Sequence, residues 1–204
     1  MPLPATEGYQ PLTVYLAVAE TEAVPGTSGR PFGCGDLLVP VQTVPTDTED
    51  EADAALDFLF ADEQGWHGDP SLWNAVFDAR ETLTPTGHRR EGDVEIFTFT
   101  GTVTPEDDCT AERIRAQLQA TAAAFTSAGQ VRLEVDGRDL DDVLGLEPLR
   151  LGESVDVPQG DPTPSGEPSD GSGGQTWAPE GESSWGPAEP TQGTWSPAQE
   201  PSTP

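Results

Sequence analysis

The sequence predicts an α+β fold: a small mixed β-sheet with two helices packed on one face, followed by a disordered C-terminal tail. Three observations carry this reading. Short segments of alternating apolar residues recur through the first 150 positions and read as strands. Two longer segments place apolar residues at helical spacing. From Gly152 onward the chain has nine acids, ten prolines and no basic residue, too little apolar surface to offset the entropy of ordering. The layout is a flexible N-terminus over 1–10, one domain over 11–150 and a tail over 151–204 that is rich in acid, Pro, Gly, Ser and Trp.

Each element has a local reason. "LTVYLAV" puts Val14, Leu16 and Val18 on one face of a strand. "LLVPVQTV", Leu37 to Val44, is extended, but Pro40 lacks a backbone donor and assigns it to an edge or a bulge. In "TDTEDEADAALDFLFADEQG", Thr48 and Glu51 fit a capping box. Ala52, Ala55, Leu56, Leu59 and Phe60 then form an apolar stripe, and Gly65 ends the helix. "DPSLWNAVF" reads as a short helical turn capped by Ser71, and "VEIFTFTG" as a strand. "CTAERIRAQLQATAAAF" is the clearest helix, capped by Thr110, with Ile114, Leu118, Ala122 and Phe125 on one face. In the last strand, "QVRLEVDG", Val131, Leu133 and Val135 point inward.

Charge narrows the partners. The chain carries 37 acidic residues against 9 basic ones, a net −28, and every basic residue is arginine. Such a chain repels phosphate backbones and anionic membranes, so nucleic acid is excluded as a partner and cations or basic proteins are favoured. No apolar run is long enough to span a bilayer, so no direct membrane span is expected. The first residues show neither a basic region nor an apolar core of an export signal. This leaves two expectations: an extracytoplasmic protein whose signal was removed or missed, or a cytoplasmic one.

The landmarks, taken in order, resemble the GerMN domain of bacterial sporulation and spore germination proteins and envelope lipoproteins. The matching pieces are "LTVYL", "FGCGDLLVPVQTVP", "AALDFLF", "LWNAVF", "FTFTGTV", "CTAERIRAQLQATAAAF" and "VRLEVDGRDL", together spanning about Pro11 to Leu144. The resemblance implies a non-catalytic α/β module, similar to the ring-building folds of envelope complexes, that binds proteins or cell wall. It implies no catalytic residue set. Two departures stand out: no lipobox cysteine lies near Met1, and the domain occurs once where the germination proteins carry two copies.

Cys34 as a nucleophile needs a histidine base. His67 and His88 both lie in polar, loop-like stretches that match no Cys-His signature. Zinc ligand spacings such as CxxC or HxxxH are missing, so no metal and no cofactor is expected. The remaining reading pairs Cys34 with Cys109 in a disulfide, with two separate buried thiols as the alternative. Glu134 and Asp136 project from one strand, with Asp139, Asp141 and Asp142 following, and offer carboxylates to a wall-glycan hydrolase. Among 37 acids some pairs arise by chance, so the chain reads as no enzyme. The acid runs "TDTEDEAD" and "PEDD" lack an EF-hand pattern and read as helix N-terminal charge.

The tail repeats a Trp-x-Pro element three times, at Trp177 and Pro179, Trp185 and Pro187, and Trp195 and Pro197. Such repeats suit a short linear motif acting by avidity, or arise by duplication in a low-complexity segment. The functional expectation is an interaction module of the cell envelope, with an envelope protein or wall polymer as partner. A soluble acidic partner of a basic protein is the other non-enzymatic reading. The oligomeric state is not legible.

Overall fold

The computed structural model describes residues 9–68 and 72–158. Ser71 and the three Trp-x-Pro repeats lie outside the described residues.

The elements follow in chain order. Strand β1 (Tyr9–Gln10) precedes β2 (Thr13–Ala19) and β3 (Ser28–Phe32), and a 3₁₀ turn (Gly33–Gly35) leads into β4 (Asp36–Gln42). Strand β5 (Thr46–Asp47) precedes helix α1 (Glu51–Ala61). Two short strands, β6 (Trp66–His67) and β7 (Leu72–Trp73), lead to a second 3₁₀ turn (Ala75–Asp78). The antiparallel strands β8 (Leu83–Glu91) and β9 (Val94–Gly101) precede helix α2 (Asp108–Ala123). Then come β10 (Gln130–Val135), β11 (Arg138–Asp139), α3 (Leu140–Leu144) and β12 (Val155–Asp156).

The fold class is α+β, as predicted, but the strands are divided among sheets. One sheet has the order β12-β3-β4-β2-β7-β6 and a second the order β11-β10-β9-β8, while β1 pairs with β5 in a third. Helix α2 belongs to both larger sheets. Ile114, Leu118 and Ala122 join Val14 and Leu16 of β2 and Phe97, Phe99, Leu133 and Val135 in one core. Ala116 and Ala120 pack with Ala17, Phe32 and Leu38 in another. A helix buried this far around its circumference is a central element rather than a cover on one face. Its polar residues Arg115, Gln117 and Thr121 are buried too.

Several local expectations shift. Strand β4 is interior where it begins, paired with both β2 and β3 from Asp36 to Leu38, and is open on one side from Val39 on, where Pro40 lies as expected. Pairing with β3 stops two residues before Pro40, where the missing donor costs nothing. Asp50 caps α1 in place of Thr48, accepting from the Asp53 amide, while Thr48 holds the Asp50 amide. Asp107 caps α2 in place of Thr110. A carboxylate outcompetes a nearby hydroxyl because it adds charge at the positive end of the helix. Asn74, whose side chain accepts from the Val76 amide, caps the 3₁₀ turn at Ala75–Asp78, three residues beyond the expected cap at Ser71.

The domain also reaches further at both ends. Tyr9 and Gln10 pair with Asp47 and Thr46. Val155 and Asp156 pair with Gly29 and Ser28, and the Gly152 amide donates to Pro31. Residues 9–10 and 151–158, expected in the flexible N-terminus and the tail, therefore belong to the folded unit.

The stretch around His88, expected to be loop-like, is strand β8. Its sequence hides it: Pro85 and Gly87 flank a register shift, and its outer residues are charged. Gly101, at the end of β9, has φ +113, and a Cβ there would fall 2.0 Å from the Thr82 carbonyl. Only glycine fits this closure of the β8–β9 pair.

Candidate functional site: a groove along α2 and three polar clusters

Cys34 and Cys109 form a disulfide across a sequence separation of 75, with Cα atoms 5.8 Å apart. Cys34 has φ 62, in the left-handed region, beside Gly35 at φ 72. The bend turns the cysteine out of the β3–β4 connection to meet the first turn of α2. The predicted pairing is therefore present, and no thiol is left to serve as a nucleophile.

A concavity of about 570 Å³ runs along the C-terminal half of α2. Ala120, Ala123 and Ala124 line it, with Tyr15 of β2 and Leu149 and Leu151 of the segment after α3. The alanine side chains leave the space between the helix and these neighbours unfilled, and a trough opens. Arg30 stands among the lining residues, its Nε donating to the Gly152 carbonyl, with no carboxylate partner among the described residues. The remaining polar lining comes mainly from amides and hydroxyls such as Gln119, Thr126 and Gln130. In a strongly acidic chain, this is a surface with little charge and a single cation.

A second surface gathers around two indoles. Trp66 and Trp73 face each other across β6 and β7 with centroids 5.4 Å apart and planes 7° from parallel. Trp66 is 54% exposed. The Arg113 guanidinium lies 4.8 Å from the Trp73 ring, and its Nε is 2.5 Å from Asp36 Oδ2. These residues, with Glu22, border a cavity of about 210 Å³.

Of the acidic residues around β10, Glu134 and Asp139 are cross-strand partners within 3.9 Å and 3.8 Å of Arg132, while Asp136 stands apart from them. Strand β10 ends at Val135, and Asp136 (φ 49) and Gly137 (φ 76) make the two-residue hairpin turn, so Asp136 leaves the face occupied by Glu134. Glu134 accepts from Arg89 at 2.9 Å, and Asp136 accepts from the Gly101 amide at 3.4 Å. Asp141 pairs with buried Arg115 at 3.2 Å. Burial raises the Asp141 pKa, against the pull of Arg115.

The two histidines occupy different polar clusters. His67 meets Asp62 at 2.7 Å. Asn74 donates to the same carboxylate and to the Leu59 carbonyl, and accepts from Gln117. Gln117 in turn accepts from the Ala75 amide at 2.8 Å. Burial opposes the Asp62 charge, but the Gln64 amide, His67 and Asn74 outweigh it and hold the pKa down to about 2.

His88 lies between two carboxylates, with Nδ1 2.8 Å from Glu95 and Nε2 2.9 Å from Asp50. Its ring stacks on Phe97 with centroids 5.0 Å apart. The bond to Asp50 is the main cause of a raised His88 pKa. Residues 50, 53 and 88 meet because α1 packs against β8, which no sequence spacing announces. The groove residues were also missed; the run "ATAAAF" was the available signal.

No protein-family model matches the chain. No curated protein matches it either. Among solved structures, the chain is similar to the tandem GerMN domains of the sporulation protein GerM from Bacillus subtilis, with a TM-score of 0.45 and 16% identity. The match covers 76% of this chain and 47% of that one, so it spans about half the length of the solved structure. Among the described residues, no helix is long and apolar enough to cross a membrane.

Proposed function

We propose that this protein is a non-catalytic interaction module of the bacterial cell envelope, holding an extended segment of a partner protein in the groove beside α2. The groove carries the proposal. Its alanine-lined trough suits apolar side chains, its amides and hydroxyls suit a peptide backbone, and Arg30 suits a carboxylate. The disulfide supports an oxidising compartment.

The test places a photo-cross-linking residue at Ala123 in the groove and, as a control, at Thr86 on β8. A partner captured at Ala123 alone is purified and its affinity measured. Ala123 is exposed, so Ala123→Arg fills the groove while sparing the core. The expected result is at least about tenfold weaker binding, about 1.4 kcal/mol. Equal capture at both positions, or unchanged affinity for the variant, contradicts the proposal.

A wall polymer is the second reading, favoured by the exposed Trp66 stacked on Trp73. A flat indole offers apolar area to the face of a sugar ring, and nearby polar groups offer hydrogen bonds. Trp66→Ala should abolish retention on purified wall glycan; undiminished retention removes this reading.

A further inference from the structure

We infer that Asp50, Asp53 and His88 form a binding site for a divalent transition-metal ion of the Zn²⁺ class, with Glu95 as the group that orients the histidine. The three ligand groups come from two elements, the start of α1 and the middle of β8, and their donor atoms all lie within 4.8 Å of one another. Donors around a tetrahedral Zn²⁺ with bonds of ~2.0 Å stand roughly 3.3 Å apart, so rotation of the carboxylates closes the set.

Three features set this cluster apart from an ordinary acidic surface. First, the imidazole is aimed. Glu95, with its side chain only 9% exposed, holds Nδ1, and Phe97 supports the ring, so Nε2 faces the two aspartates. A buried carboxylate behind a histidine is the usual support of a metal-ligating imidazole. Second, the Asp53 carboxylate has no hydrogen-bond or ion-pair partner among the described residues, although it lies next to Asp50 and His88. Third, three carboxylates face a single imidazole, and the neighbouring arginines are engaged elsewhere. Arg89 is held by Glu91 and Glu134, and Arg90 lies against Ser127 and Asp93. A bound dication would supply the missing positive charge.

One nitrogen with two carboxylate oxygens suits Zn²⁺ and its neighbours better than Ca²⁺ or Mg²⁺, which prefer all-oxygen shells. Three protein ligands leave room for water. The His88 side chain is 25% exposed, so an ion can enter from solvent.

Calorimetric titration of the full chain with ZnCl₂ tests the site. One Zn²⁺ per chain is expected, unaffected by excess Ca²⁺ or Mg²⁺. His88→Ala should abolish binding, and Glu95→Gln should weaken it by about 10–100-fold. Asp53→Asn should weaken it without altering the fold, since Asp53 makes no bond that the fold needs. His67→Ala should leave it unchanged. Thermal melting without metal checks that each variant is folded. No Zn²⁺ binding by the wild-type chain, or equal binding by folded Asp53→Asn, overturns the assignment.

Discussion

His67 and His88 each meet a carboxylate of α1 or its flank, yet the regions around them are built on opposite terms. Behind His67, whose Nε2 meets Asp62 while its ring reaches the surface, the network is closed. Asn74 and Gln117 are 1% and 0% exposed, and their amide groups bond to each other, to Asp62 and to backbone groups. Around His88 the network is open, with a surplus of carboxylates and one acid, Asp53, left over. A closed buried network has nothing to offer a ligand and serves the fold. An open one at the surface keeps unspent ligand capacity.

Removing the disulfide should have the largest effect on stability while leaving this contrast intact. Cys34→Ala with Cys109→Ala frees a loop of 75 residues. The expected loss is about 4 kcal/mol in urea unfolding. If Zn²⁺ binding vanished while the variant stayed folded, the two regions would not be independent.

Breaking the closed network comes next. Gln117→Leu keeps the volume but strands the Ala75 amide in a dry interior and leaves Asn74 Oδ1 with the Val76 amide as its donor. A loss of about 3 kcal/mol is expected. A loss below about 1 kcal/mol would mean the network is replaceable by apolar packing.

Acid should act on the same region. The Asp62 pKa is lowered, so its contribution is present above the unfolded value of 3.8 and is lost as pH falls through about 2. Stability curves of wild type and Asp62→Asn should differ by roughly 1–2 kcal/mol at pH 5 and converge near pH 2. Parallel curves would show that the Asp62 charge is not stabilising.

The smallest effect belongs to the open cluster. Without metal, Asp53→Asn should change stability by no more than about 0.5 kcal/mol, because no bond is lost and one like-charge neighbour of Asp50 is removed. A large loss would place Asp53 in the fold's own bonding.

How much of this could be read from the sequence follows from the same physics. Alternation revealed β2 and β10, and β9 matches its predicted span residue for residue. Helical spacing revealed α1 and α2, because burial on defined faces leaves a period in the chain. Cap positions slipped by two to three residues, since Thr48, Asp50, Asp107 and Thr110 all offer oxygen acceptors near a helix start. Strand β8 was illegible because an outer strand with Pro85, Gly87 and paired arginines carries no apolar alternation. The division into separate sheets was hidden too, as α2's contact with both shows only as burial of Arg115, Gln117 and Thr121. The cysteine pair was legible from the poverty of alternatives. The groove and the His88 cluster were not, because packing joins residues 15, 30, 123 and 149 in one and 50, 53 and 88 in the other.

The most direct measurement uses the fact that the chain has only two histidines, one in each region. In ¹⁵N spectra of the imidazole rings, stoichiometric Zn²⁺ should shift the His88 Nε2 signal and leave both His67 nitrogens in place. Movement of His67, or no movement of His88, would contradict the distinction between the closed region and the open one.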